Sequence, residues 1–193
     1  FYSPGSNPAL REKLGLQGVV IGFVGRLVPE KGVQLLLQAS QNLNADCTLL
    51  FMGSGPLGHE LKKWQGGEQS KIIEVPAVKH HEVRDYLRAM DILVLPSYDT
   101  PTWKEQFGHA LIEAMACEIP VIGSSAGAIP EVIGDVGLIF TEKSVDQLAK
   151  QLQLLVHSSV ERARLGRMGR QRILKYFTHE KIALQTLEFW KTL

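Results

Sequence analysis

The sequence predicts an α/β fold, a doubly wound parallel sheet of six strands covered by helices on both faces, with extra helices at the C-terminal end. Three observations carry this. Short, continuously apolar runs rich in Val, Ile and Leu recur along the chain, each bounded by Gly or Pro. Segments with apolar residues at helical spacing alternate with them, and after the sixth run the pattern is helical only. Strands that read as unbroken hydrophobic runs are those buried on both faces, as in parallel sheets.

The elements follow in order. Val19–Val24 is a strand that stops at Gly25-Arg26, and from Gly32 the positions Val33, Leu36, Leu37 and Leu43 take up helical spacing. Cys47–Met52 is the second strand; Gly53-Ser54-Gly55-Pro56 turns the chain, with Pro at the start of a helix over 57–64. A strand over 71–75 and a helix over 80–89 make the third pair. Ile92–Leu95 is the fourth strand, ended by Pro96-Ser97, and the loop 98–104 leads into a helix that begins at Glu105. Residues 120–123 and 137–140 form the last two strands, with a short helix over 130–133 between them. Ser144-Val145-Asp146-Gln147 fits a capping box opening the next helix, and two more lie near 161–175 and 178–191. The whole is a Rossmann-like arrangement without internal repeats.

With 193 residues, 45% of them hydrophobic and 21% charged, the chain can bury a full core without a staple. A formal charge of +1 gives no bulk electrostatic reason to expect nucleic acid as a partner. Cys47 and Cys117 both lie in apolar contexts, which favours packed thiols in a reducing compartment over a disulfide. No apolar run approaches the roughly 20 residues of a membrane span, and no secretory signal is visible, so the expected location is cytoplasmic. Phe1-Tyr2-Ser3-Pro4-Gly5-Ser6-Asn7-Pro8 lacks an initiator Met and reads as a linker. Residues 1–17 are therefore expected to be an inter-domain linker and lead-in, and residues 18–193 the folded domain.

In an open parallel sheet, ligands bind beyond the carboxyl ends of the strands. The unusual residues of this chain fall there. Arg26 and Lys31 follow the first strand, and a planar fork beside a point charge could hold a diphosphate; two solvated cations is the competing reading. Gly53 and Gly55 would let backbone approach a ligand, though a plain tight turn explains them equally. Glu105 and Glu113, read on one helix, lie about 12 Å apart along its axis. Glu113 stands among Leu111, Ile112, Ala114, Met115 and Ala116, so its carboxylate needs a partner, either a vicinal diol such as a ribose or an internal salt bridge. Glu105 could accept sugar hydroxyls or simply favour the helix dipole. His109, beside Gly108, offers its backbone N–H to a phosphate. His80-His81 reads as an exposed helix start, Trp103 either touches a sugar or covers the core, and no cluster of metal-ligand spacing is present. The arginine-rich stretch 161–172 reads as a solvated helix face, with a membrane-surface helix as the alternative.

Taken as an ordered set, Gly25-Arg26-Leu27-Val28-Pro29-Glu30-Lys31-Gly32, Gly53-Ser54-Gly55-Pro56, Asp91 through Ser97, the Glu105/Glu113 segment and Gly127-Ala128-Ile129-Pro130-Glu131 resemble the C-terminal domain of retaining GT-B glycosyltransferases of group 1, the GT4 family. The resemblance covers nearly the whole chain. It implies a domain that binds a nucleotide-diphosphate sugar and needs no metal or other cofactor. Arg26 and Lys31 would hold the diphosphate, Glu105 would approach the sugar and Glu113 the ribose. Backbone at Val78 would border the base, and amides of Phe107, Gly108 and His109 would meet phosphate or sugar; Gly25, Gly53 and Gly55 shape the loops. The implied partners are the enzyme's own N-terminal acceptor domain and a glycan or lipid-linked acceptor, with association at the inner face of a membrane left open. The isolated domain is expected to transfer nothing. Two positions depart from the family's glycines, Gln106 and Glu118. Other readings stay open: a non-catalytic nucleotide-sugar-binding module, or an epimerase or phosphorylase of the same fold. A dinucleotide oxidoreductase is disfavoured because the three-glycine fingerprint is missing.

Overall fold

A computed structural model of the chain describes residues 2–41, 43–64 and 70–192. Phe1, which heads the expected linker, lies outside the described residues. The first element is a helix that the sequence pattern does not predict, α1 (Pro8–Leu14), capped by the Asn7 side chain and closed by Gly15. Arg11 ties it to the sheet through Asp91 at 3.1 Å, so the packed unit extends upstream of residue 18. Strands β1 (Val19–Val24), β2 (Cys47–Met52), β3 (Ser70–Val75), β4 (Ile92–Leu95), β5 (Val121–Ser124) and β6 (Leu138–Phe140) form one parallel sheet in the order β3-β2-β1-β4-β5-β6. The order reverses between β1 and β4, and a crevice opens there at the strands' carboxyl ends.

Alternate residues of each strand feed two cores. Leu50, Met52, Leu93 and Leu95 point into one, while Leu49, Phe51, Ile92 and Val94 point into the other. Helices α2 (Val33–Ser40), α3 (Gly58–Lys63) and α7 (Val145–His157) cover the second face. The first is covered by α4 (His80–Leu87), α5 (His109–Ala116), α6 (Ile129–Ile133) and part of α8 (Ser159–Tyr176). The last helix, α9 (His179–Lys191), has no buried residue. Both cysteines are buried free thiols.

Several boundaries differ from those expected. The most consequential is α5, which begins at His109 with Gly108 as its N-cap. Glu105 is therefore in the preceding loop, and the 12 Å helical spacing between Glu105 and Glu113 does not apply. Pro56 lies ahead of Leu57, the N-cap of α3, rather than at its first turn. Ser144 caps α7 through Gln147 N–H, but the Gln147 side chain turns away to the Thr141 N–H, so only half of the capping box forms.

Arg164 and Arg167 of α8 are exposed, as expected of a solvated face, but three other arginines are not part of one. Arg162 donates to Leu155 O and Val156 O, Arg170 to Ala116 O, and Arg172 to Val132 O and Glu131 O. They satisfy the orphan carbonyls at the ends of α7, α5 and α6, where the helix dipole favours a cation. Glu118, which stands where the resembled family carries glycine, adopts φ +62 just after α5. No helix among the described residues is long and apolar enough to cross a membrane.

Candidate functional site

Two cavities lie side by side at the switch point. Val24, Met52, Val78 and Val83 give the first, about 320 Å³, an apolar lining, with Gly25 and Gly53 at its edge. The second, also about 320 Å³, is lined by Lys31, Trp103, Lys104, Glu105 and the Phe107-Gly108-His109 turn. Arg26 lines both. It is 62% exposed, with Glu30 at 3.7 Å, so its guanidinium stands at the join and is not spent on the fold.

Local structure explains why these residues meet. The loop after β1 makes a 3-10 turn over Pro29–Lys31 and ends at Gly32, whose φ is +72. A side chain at Gly32 would strike the Pro96 carbonyl, so only glycine lets this loop lie on the end of β4. Tyr98 N–H donates to Glu30 O at 3.0 Å and fixes the approach. Gly53 allows a similar approach at the end of β2. It sits against Gly25 O, where a Cβ has no room, while its N–H bonds Val75 O at 2.9 Å.

Lys31 and Glu105 are the centre of the second cavity. Lys31 Nζ donates to Glu105 Oε2 at 2.6 Å, and the Ser97 hydroxyl donates to the same oxygen at 3.0 Å. The Ser97 carbonyl takes the Ser124 hydroxyl, and Glu105 O accepts Ala128 N–H at 2.9 Å. Thus the ends of β1 and β4 are laced through one carboxylate, and the end of β5 joins them through the Ser97 and Glu105 carbonyls. The Trp103 ring lies 5.0 Å from Lys31 Nζ, a cation–π contact that covers the pair. The side chains of Lys31 and Glu105 are 15% and 10% exposed, low enough that each needs the other.

Glu113 lines neither cavity. It sits on α5 with its side chain 17% exposed, its Oε1 3.9 Å from His80 Nδ1. His80 and Val83 lie one turn apart on α4, and Val83 lines the first cavity, so Glu113 is next to an element of that cavity's wall. Burial pushes the Glu113 carboxyl above the usual carboxylate range, opposed by a hydrogen bond from Tyr2 and by the nearby His80 and His109. Gly55 faces elsewhere, into a cavity of about 700 Å³ shared with Trp64 and Glu74. His109 packs its ring on Phe107 with centroids 5.0 Å apart, which leaves its backbone at the start of α5 toward the second cavity. Among the described residues, no three His, Cys, Asp or Glu side chains come together as a metal site.

The structure adds residues the sequence did not single out. Ser97 was visible only as the end of a strand, yet it is buried and bonded to Glu105. Met52, named from sequence only as the end of a strand, and Val83 line the apolar cavity. Tyr2 and His80 reach Glu113 from segments with no local signal of that contact.

The sheet order and this rim define a doubly wound α/β domain with its polar groups gathered at the topological switch point. Residues 7–172 match the family model for glycosyl transferases group 1, and the chain belongs to that family. It is 28% identical to the alpha-maltose-1-phosphate synthase of Mycolicibacterium smegmatis, covering 97% of this chain and 52% of that protein. It is 30% identical to a GDP-mannose-dependent phosphatidylinositol monomannoside mannosyltransferase of Corynebacterium glutamicum, over 89% of this chain and 47% of the relative. The chain thus spans about half the length of these relatives. Among solved structures it is similar to the C-terminal domain of a group 1 glycosyl transferase, LpcC, from Francisella tularensis. That match has a TM-score of 0.76 and 27% identity, covering 92% of this chain and 96% of that one. The fold expected from sequence is the half of a GT-B enzyme seen in such neighbours.

Proposed function

We propose that this chain is the donor-binding domain of a retaining glycosyltransferase that moves a sugar from a nucleotide-diphosphate sugar to an acceptor. The observation that carries the reading is Arg26, standing exposed where an apolar cavity meets a polar one. A base fits the first cavity against Val78, with the ribose toward Glu113. The diphosphate lies at Arg26 and the sugar in the second cavity beside Glu105. The naming of a GDP-mannose-dependent relative at 30% identity supports a nucleotide-sugar donor.

Each residue has a physical role. Lys31 donates one N–H to Glu105, which leaves its other two N–H donors for phosphate oxygens. Arg26 offers a planar fork to the same group. Backbone N–H groups from Phe107 to His109 open α5, where a helix start attracts an anion. Ser97 and Lys31 both hold Glu105 Oε2, which orients Oε1 for a sugar hydroxyl. In the transfer, the acceptor oxygen bonds to the anomeric carbon while the bond from that carbon to the β-phosphate oxygen breaks. The acceptor's proton passes to the departing diphosphate on the same face, and Arg26 and Lys31 stabilise the charge that develops there. The diphosphate is held by these cations without a metal. The acceptor is held by a separate domain across the cleft, so this chain alone binds donor and transfers nothing.

Isothermal titration of the 193-residue chain with UDP-, GDP- and ADP-glucose tests the binding half of this reading. One of the three is expected to bind, and Arg26→Ala to weaken it about tenfold or more, the effect of losing a charge-assisted contact. Binding that is indifferent to Arg26 contradicts it. Anomeric proton NMR on the two-domain enzyme tests retention, and an inverted product contradicts that.

A further inference from the structure

A further cavity, about 380 Å³, opens at the other end of the sheet from Arg26 and Lys31. Asp91 and Pro120, which immediately precede β4 and β5, line it, so it lies at the amino ends of those strands. Four arginines reach it from three elements: Arg11 of α1, Arg88 at the end of α4, and Arg162 and Arg167 of α8. Only two carboxylates line it with them, Asp91 and Glu118.

The four cations are not in the same electrical state. Arg11 is neutralised, its two terminal nitrogens gripping both oxygens of Asp91 at 3.3 and 3.1 Å. Arg88 and Arg162 are half-buried and held by neutral acceptors instead. Arg88 donates through Nε to Ser3 O and through Nη2 to Ser3 Oγ and Pro4 O. Arg162 donates through Nη1 to Leu155 O and Val156 O. Such bonds fix the two side chains without cancelling their charge, apart from the partial negative end of α7 beside Arg162. They also leave donors over, on Nη1 of Arg88 and on Nε and Nη2 of Arg162. Arg167 makes no hydrogen bond or ion pair with a described residue, and neither does the Glu118 carboxylate. Ser159, the first residue of the 18-residue α8, lines the same cavity, so the positive end of that helix adds to the field.

We propose that this cavity binds the phosphate group of a small phosphate ester, gripped by Arg88, Arg162 and Arg167. Planar guanidinium forks match phosphate oxygens in pairs. Arg88 and Arg162 are ordered before a ligand arrives, so little freedom is lost on binding beyond that of Arg167. A phosphate monoester brings about 1.5 to 2 negative charges at pH 7, which suits a cluster of uncompensated cations better than a single carboxylate does. The volume falls in the range of small-molecule pockets, about 300–1,000 Å³, so there is room for the body of the ester as well as its phosphate. None of its lining residues lines either cavity at the switch point, so its occupancy can be read separately.

An amide NMR titration of the chain with glycerol 3-phosphate, and with glycerol as the uncharged control, tests this. Ser159, Ala163 and Arg167 report on this cavity, and Arg26 and Gly108 register any phosphate taken up at the other end of the sheet. Glycerol 3-phosphate is expected to give saturating shifts at the first three amides, and glycerol none. Arg167→Ala, which removes no polar contact of the fold, should weaken that binding about tenfold or more and leave the thermal midpoint unchanged. Arg167→Lys, which keeps the charge but not the fork, should weaken it less. Vesicles of phosphatidylglycerol, set against phosphatidylcholine, separate the two sources of such a group. Co-sedimentation that glycerol 3-phosphate competes away and Arg167→Ala abolishes assigns the cavity to a lipid headgroup. No co-sedimentation, with the amide response intact, assigns it to a free ester. Shifts confined to Arg26 and Gly108, shifts that rise without saturating, or the same affinity in Arg167→Ala as in the parent overturn the proposal.

Discussion

Glu105 keeps 10% of its side chain exposed and receives the Lys31 ammonium at 2.6 Å and the Ser97 hydroxyl at 3.0 Å. Glu113, 17% exposed, has an exposed imidazole at 3.9 Å. The more deeply buried carboxylate is matched by a full opposite charge from its own fold; the other faces an imidazole, which carries charge only when protonated. The contrast separates two kinds of site residue. Glu105 belongs to the frame of the cleft, because removing its partner would leave an ion in the interior. Glu113 is under-compensated, and a ligand's hydroxyls can complete its hydrogen bonding.

The largest effect should come from splitting the Glu105 pair. Lys31→Met strands the carboxylate and is expected to cost about 3–5 kcal/mol in urea unfolding. Adding Glu105→Gln to that variant should recover most of the loss, since both charges are then gone. If Lys31→Met is tolerated, Glu105 is no more dependent on its partner than Glu113 and the contrast collapses.

Glu113→Gln should behave in the opposite way, losing nucleotide affinity while unfolding no more easily, or less easily, than the parent. The sign follows from the raised carboxyl. Between the ordinary carboxylate value and the raised one, the folded chain binds more protons than the unfolded chain, so stability falls as pH rises through that window. Unfolding measured from about pH 4 to 8, a range that starts near the ordinary carboxylate value, should show that slope in the parent and lose Glu113's contribution in Glu113→Gln. A variant that instead gains slope would mean that Glu113 is held charged by the fold.

A third glutamate supplies the smallest effect and a control. Glu118 carries φ +62, a conformation that costs an L residue about 1–2 kcal/mol in the helical limit. Glu118→Gly should raise stability by about 0.5–1 kcal/mol after the added freedom of the unfolded chain is counted, and leave nucleotide binding alone.

The sheet was legible because its strands are buried on both faces and so are written as unbroken apolar runs; Val19–Val24, Cys47–Met52 and Ile92–Leu95 match residue for residue. That Arg26, Lys31 and Val78 stand at the carboxyl rim of the sheet was legible because position after a strand in a parallel sheet fixes which end they occupy. Glu105 was placed on the right rim but on the wrong element. Its helix starts four residues later because Gly108, in a left-handed conformation, is the cap, and spacing alone does not reveal that. The Lys31–Glu105 and His80–Glu113 pairs join residues far apart in the chain, so no local pattern encodes them. Arg162, Arg170 and Arg172 of α8 misled for a similar reason: their partners are carbonyls of other helices, which carry no side-chain trace.

The most direct test of the donor-site account is an amide NMR titration of the chain with UDP-, GDP- and ADP-sugars, following Arg26, Val78, Gly108 and Glu113. The account predicts that one nucleotide sugar shifts all four together, with signals of α9 unmoved. If none of the three moves them, or if shifts gather around Gly55 and Trp64 in the larger cavity instead, the two-cavity site at the switch point is not where the donor binds.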